Sequence, residues 1–156
     1  MLSLHVLAVG KLRPFFREAA DEYLRRLRRY STVQEREVRE GGKAGNPTAQ
    51  RREEALRLRA ALPDSGVTVA LARTGSSWSS AELARRLGRW REETPNVSFL
   101  IGGAEGLAPE LSEAARYHWS LGPLTLPHEL ARVIVLEQLY RGFTILAGEK
   151  YHKGGE

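Results

Sequence analysis

Val97-Ser98-Phe99-Leu100-Ile101-Gly102-Gly103-Ala104-Glu105-Gly106 is the stretch that decides the fold. Its first five residues are almost all apolar, the pattern of a strand covered on both faces. They run into a glycine-rich turn whose missing side chains let backbone amides approach a ligand closely. A second loop, Leu121-Gly122-Pro123-Leu124-Thr125-Leu126-Pro127-His128, stands ahead of a long apolar helix. Residues 96–146 therefore read as a ligand pocket, placed at the end of the strands where open parallel sheets hold their ligands.

The flanking sequence supplies the other layers. Leu2 to Val9 is a short apolar run closed by Gly10 and reads as a first buried strand. Pro14 suits the first turn of a helix with Phe15, Ala19, Tyr23, Leu24 and Leu27 on one face, surrounded by Arg25, Arg26, Arg28 and Arg29. Thr32 to Arg39 alternates weakly and predicts a strand, and Glu40 to Pro47 is a flexible loop holding Lys43. Thr48 to Leu62 predicts a helix. Gly66 to Ala72 predicts a buried strand that stops where Arg73-Thr74-Gly75 begins. Ser79 with Glu82 is a capping-box pattern for a helix reaching about Arg91. Ala108-Pro109-Glu110 opens a short helix, Tyr117 to Leu121 is a brief strand, and Glu129 to Leu146 is the last helix. Strand and helix alternate throughout, which predicts an α/β domain with a mainly parallel sheet flanked by helices, a single domain over residues 1–156.

Composition removes several classes of chemistry. The 156 residues include no cysteine, so disulfides, thiolate metal sites and a cysteine nucleophile are excluded. No leader pattern opens the chain, and Arg132, Glu137 and Arg141 interrupt its most apolar stretch short of the roughly 18 residues a membrane helix needs. A cytoplasmic protein without a membrane segment is the expectation. Gly10-Lys11-Leu12 lacks the glycines of a dinucleotide fingerprint, there is no Walker A sequence, no GxSxG elbow occurs, and His5, His118, His128 and His152 lack metal-ligand spacing. No metal is expected.

Charge is uneven. Of the net +5, residues 11–60 contribute +6, with 14 Lys and Arg against 8 Asp and Glu. Such a segment suits a polyanion such as RNA, and equally an arginine-rich surface with no partner. The Gly102–Gly106 turn likewise has two readings, a ligand loop or simply a tight strand-to-helix turn. Leu124-Thr125-Leu126-Pro127 is unusually apolar for a solvated loop and suits backbone hydrogen bonds to an adenine edge inside an apolar wall. The last helix is apolar around nearly its full circumference, which predicts a second covering surface, most economically a twofold homodimer.

IGGAEG (101–106), HWSLGPLTLPHELARVIVLEQLYRGFTI (118–145) and the terminal YHK (151–153) together resemble the ribosomal RNA large subunit methyltransferase H family of the SPOUT methyltransferases. The likeness extends through LHVLAVGK (4–11), EYLRR (22–26), the GK of Gly42-Lys43 and SFLIGG (98–103), and so covers essentially the whole chain.

The resemblance implies an α/β fold with a deep C-terminal trefoil knot, although general topology rules argue against knots. It implies methyl transfer from S-adenosylmethionine to N3 of a pseudouridine in 23S ribosomal RNA, on the assembled 70S ribosome, by a homodimer. Carried over, the cofactor residues are Leu71, Gly103, Gly122, Pro123, Leu124, Thr125, Leu126 and Pro127. His128, Arg132, Arg141, Tyr151 and His152 are the candidates for positioning the acceptor or stabilising its charge, with Tyr140 and Lys153 nearby. Each has a plainer reading: His128 as a helix cap, Arg132 paired with Glu129, Arg141 paired with Glu137, Tyr140 in the core, and Tyr151 and His152 as a frayed end. The family often has arginine after the Tyr-His pair, whereas Lys153 here keeps the charge without the planar fork. The expected alternative activity is a non-catalytic RNA-binding or ribosome-assembly factor that uses the basic segment.

Overall fold

In the computed structural model, residues 1–42 and 45–151 are described. Ten elements alternate as β1 (Ser3–Val9), α1 (Pro14–Leu27), β2 (Thr32–Val38), α2 (Pro47–Ala61), β3 (Val67–Ser77), α3 (Ser80–Glu93), β4 (Asn96–Ile101), α4 (Pro109–Ala114), β5 (Tyr117–Ser120) and α5 (His128–Leu146). The five strands form one parallel sheet in the order β2-β1-β4-β3-β5. β1 and β4 pair with each other at its middle, Leu4 opposite Val97 and Leu7 opposite Leu100, and both are covered from both faces, which is why their sequences are continuous apolar runs.

Helices cover the two faces unequally. α1, α3 and α5 share one core with the sheet, built on Val6, Phe99, Leu87, Trp90, Leu136 and Phe143. α2 and α4 close the other face over Leu7, Val9, Leu58, Leu100 and Leu111. α5 lies between α1 and α3. Its Gly142 lets the backbone approach α3, since a Cβ there would stand 2.7 Å from Leu87 Cδ1.

Local signals in the chain account for several helix starts. Asn46 Oδ1 accepts the amide of Ala49 ahead of Pro47, and Ser79 Oγ accepts the amide of Glu82. α1 has no side-chain cap of its own. The amide of Arg13 donates instead to Glu129 Oε2 at 2.8 Å, so α5 finishes the start of α1. Arg13 Nε also pairs with Glu129 Oε1 at 3.0 Å. The backbone bond from Arg13, followed by the ion pair, holds the Glu129 carboxyl below its ordinary range.

Two expectations need correction. The inner face of α1 is formed by Ala20, Leu24 and Leu27 with Phe16 beside them, while Phe15 is exposed, its ring tilted against that of Phe16 and under Arg13. β3 does not stop at Ala72 but continues to Ser77, because β5 pairs with it twice: Trp119 lies opposite Leu71 and again opposite Ser76, with a register break between. Gly75 permits this, as a Cβ there would lie 2.5 Å from the carbonyl of His118. α5 leaves part of its apolar circumference uncovered within the single chain. One side is fully buried, and Leu130, Val133, Ile134 and Ile145 are only half-buried.

Candidate functional site

The middle of β3 and the C-terminal ends of β4 and β5 converge on a slot of about 160 Å³. Leu71 and Ala72 enter from β3, Ile101 and Gly102 from β4, and Trp119 and Ser120 from β5; Leu121 to Leu126 and the first turn of α5 close the far side. The walls are mainly apolar side chains with backbone amides and carbonyls between them, the composition of a site for a flat heteroaromatic ring.

Two glycines shape it. Gly122 has φ +113 and nothing lies within 4 Å of the place a Cβ would take, so its conformation rather than space demands glycine. Ser120 Oγ fixes that turn by accepting the Gly122 amide at 3.1 Å and donating to the Gly122 carbonyl at 3.3 Å. Gly102 is needed for space: the chain folds back so tightly that a Cβ would stand 2.4 Å from the carbonyl carbon of Gly106.

The carried-over cofactor residues separate accordingly. Leu71, Gly122, Leu124, Thr125 and Leu126 line the slot, and Leu124 is largely exposed at its mouth. Gly103 is not among the lining residues; it bridges to Gly106 and faces Val9 and Glu54 on the other side of the turn. Its neighbour Gly102 lines the slot instead. Pro123 and Pro127 shape the loop without lining it, Pro127 serving as the residue before α5 whose carbonyl accepts the amide of Ala131 at 2.9 Å.

The acceptor-side candidates occupy three places. His128 lines the slot. Arg132, one turn further along α5, is fully buried and turned away, with Nη1 3.1 Å from Glu35 Oε2, a second bond to Glu37, and Nη2 2.9 Å from the carbonyl of Gly10. Neither its partner nor its direction matches a pairing with Glu129. Arg141 pairs with Glu137 at 2.8 Å, and that hydrogen bond raises its affinity for the proton. The Tyr151 ring lies 4.9 Å from the Arg141 guanidinium and edge-on to Tyr140, and its hydroxyl donates to Glu137 Oε2 at 2.9 Å. Burial, with hydrogen bonds to Tyr23 and Glu137, pushes the Tyr151 phenol up. His152 and Lys153 lie outside the described residues, as does Lys43.

His128 and Arg141 are 13 positions apart along α5, about 20 Å at the helical rise. The slot and the Arg141–Tyr151 cluster are therefore two distinct sites on one chain.

A family model described as "Predicted SPOUT methyltransferase" matches residues 2–152. The chain belongs to the SPOUT methyltransferase family. Among SPOUT relatives, the ribosomal RNA large subunit methyltransferase H of Rubrobacter xylanophilus is 49% identical over 157 residues, covering 94% of this chain and 96% of its own. That of Nitrosococcus oceani is 43% identical over 155 residues, covering 97% and 99%. A solved methylase family protein of Haemophilus influenzae shares the fold at TM-score 0.56 and 14% identity, over 95% of this chain and 69% of its own. The SPOUT fold thus accounts for the parallel sheet and its helix layers. The chain is a methyltransferase by family, and methyl transfer calls for a donor. Among the described residues no helix is long and apolar enough to cross a membrane, and no cluster of His, Cys, Asp and Glu is arranged to hold a metal.

Proposed function

We propose that the protein uses S-adenosylmethionine to methylate N3 of a pseudouridine in 23S ribosomal RNA, acting in the cytoplasm as a homodimer on the assembled 70S ribosome. The observation that carries the reading is whole-length relatedness to ribosomal RNA large subunit methyltransferases H, in a chain whose strand ends form an apolar slot edged with backbone polar groups. The residues fit the donor. Leu71, Ile101, Leu121 and Leu126 supply apolar faces for adenine, the peptide groups of residues 121–126 supply donors and acceptors, and Gly102 and Gly122 leave the backbone close to it.

When bound, the cofactor supplies an activated methyl group on a sulfonium. The chain's own task is to hold the acceptor nitrogen in line and to manage its proton. His128 is the histidine that lines the slot and is the group we assign to that proton. A family trefoil knot, with the 121–127 loop and α5 forming the threaded part, belongs to the same proposal.

The distance along α5 supports the dimer. Arg141 and Tyr151 sit about 20 Å from the slot of their own chain, so an acceptor held by both clusters needs the tail of a second copy. The half-buried stripe of Leu130, Val133 and Ile134 offers that copy an apolar seat.

The test is methyl incorporation into ribosomes from a strain lacking its own enzyme. Incorporation is expected there and not into ribosomes whose target uridine was never isomerised; no transfer to the first sample, with cofactor present, overturns the reading.

A further inference from the structure

Beside the slot, and sharing Leu71, Ala72, Arg73, Gly106 and Leu107 with it, lies a wider cleft of about 950 Å³. It is lined on its several sides by Arg51, Arg73, Arg86 and Arg116, with Trp78 and Tyr117 between them. We propose that this cleft holds the phosphate backbone of the single-stranded RNA flanking the base that reacts at the mouth of the slot. The inference rests on the methyltransferase reading and extends it to a surface at the β3–β5 edge of the sheet, opposite the β2 edge.

Three observations carry it. First, the cleft's cations are available. Arg73 and Arg116 are exposed and have no ion pair or side-chain hydrogen bond among the described residues. Among the described residues, Arg51 reaches the carbonyl of Glu105, at 3.5 Å, and no carboxylate. Donors left open in this way match phosphate oxygens. By contrast, several cations of α1 are neutralised within the protein: Arg13 by Glu129, Arg17 by Asp21, Glu35 and Glu37, and Arg25 and Arg26 by Glu22.

Second, the cleft combines guanidinium groups with rings. Arg86 lies 4.2 Å from the centre of Trp78 and 5.2 Å from that of Tyr117, and Arg116 lies 5.7 Å from Tyr117. Planar cations held on aromatic faces suit unpaired bases and their backbone, as in single-strand binding grooves. Third, the two cavities adjoin across shared lining residues, Arg73 among them. A strand whose base lies at the mouth of the slot beside Arg73 leads its neighbouring nucleotides into the cleft. Glu113, the acid in the lining, and Glu82, which pairs with Arg86 at 3.2 Å, do not cancel the arginine excess.

The experiment compares Arg51→Gln/Arg116→Gln, two cleft residues that do not line the slot, with Arg36→Gln/Arg59→Gln, which removes the same charge from exposed positions outside the cleft. Anisotropy of a fluorescein-labelled 12-mer of oligouridylate is measured over a range of salt. The cleft variant is expected to lower the slope of log affinity against log salt by about 1.4, roughly 0.7 for each lost phosphate contact, and the control to leave it unchanged. With ribosomes as acceptor, the cleft variant should raise KM about tenfold with kcat within about twofold, while the calorimetric heat of S-adenosylmethionine is retained. Equal slopes in parent and cleft variant, or equal losses in both variants, overturn the proposal. If the parent transfers no methyl to ribosomes, the enzymatic reading fails while the oligouridylate slope still decides whether the cleft binds RNA.

Discussion

Arg132 Nη2 donates to the carbonyl oxygen of Gly10 at 2.9 Å, joining the second turn of α5 to the end of β1 across 122 positions of sequence. The same guanidinium holds Glu35 and Glu37 of β2, and Arg17 of α1 reaches both carboxylates from the other side. Two strands and two helices meet in this one charged cluster. Its Arg132 member is buried, so its geometry is fixed by packing and not by solvent.

Removing that arginine leaves two carboxylates partly uncompensated. Arg132→Met is expected to cost about 3 kcal/mol of stability, at the lower end for breaking a buried pair because Arg17 remains. Urea unfolding checks this. Turnover per folded molecule at low temperature should fall far less than stability does, and the reverse pattern would restore Arg132 to direct contact with the acceptor.

The two glycines of the turn differ in kind. Gly102→Ala meets backbone at 2.4 Å, while Gly103→Ala meets the Val9 side chain at 3.0 Å. Calorimetric titration with S-adenosylmethionine should show the larger loss for Gly102→Ala, roughly tenfold or more in affinity for an overpacking cost of about 1.4 kcal/mol or above. Equal losses would place Gly103 in the site after all.

Gly122→Ala tests conformation without crowding. At φ +113 an alanine is strained although it has room, so about 1–2 kcal/mol is expected, read as weaker cofactor binding with little change in melting temperature if the strain stays in the loop.

Alkaline pH reports on the packing of the last residues. Tyr30 is pushed up to about 12 by burial and by its bond to Glu149, and Tyr151 is raised by burial and by its bonds to Tyr23 and Glu137. Both phenols are raised above the ordinary value near 10, so their contribution to stability is complete below about pH 10 and is lost as pH rises through the higher folded values. Absorbance titration should show two of the five tyrosines ionising late. Tyr151→Phe should remove one of them and flatten the alkaline loss of stability.

Shared catalysis between subunits is open to complementation. A Gly102→Trp chain mixed with a chain truncated after residue 148 should regain methyl transfer that neither homodimer has. Scintillation counting of ribosomes reads the result, and an inactive mixture argues for sites complete in one subunit.

Much of this fold is legible in the chain because burial on both faces writes itself as an apolar run, as in Val97 to Ile101 and Leu4 to Val9. Phe15 and Phe16 are chemically alike, and it is Phe16 that stays in helical phase with Ala20, Leu24 and Leu27. What stays hidden is set by partners far away in sequence. Gly102 and Gly103 are identical, yet one closes on Gly106 and the other on Val9. The continuation of β3 past Ala72 depends on Trp119 pairing twice, and no local pattern in Arg73-Thr74-Gly75 announces that. The available arginines are equally non-local: counting charge points to residues 11–60, where cations at and within α1 pair with Glu22, Glu35 and Glu129, whereas Arg73 and Arg116 lie outside that segment and have no ion pair among the described residues.

β1, an inner strand of the sheet, has a consequence for how the chain is made. Its neighbour β2 follows within about thirty residues, but its other neighbour, β4, begins only at Asn96. At typical synthesis rates one whole edge of Leu4 to Val9 must wait on the order of ten seconds for its mate. Through that interval the nascent polypeptide carries a half-paired, strongly apolar strand, a natural client for the chaperones that meet chains as they leave the ribosome.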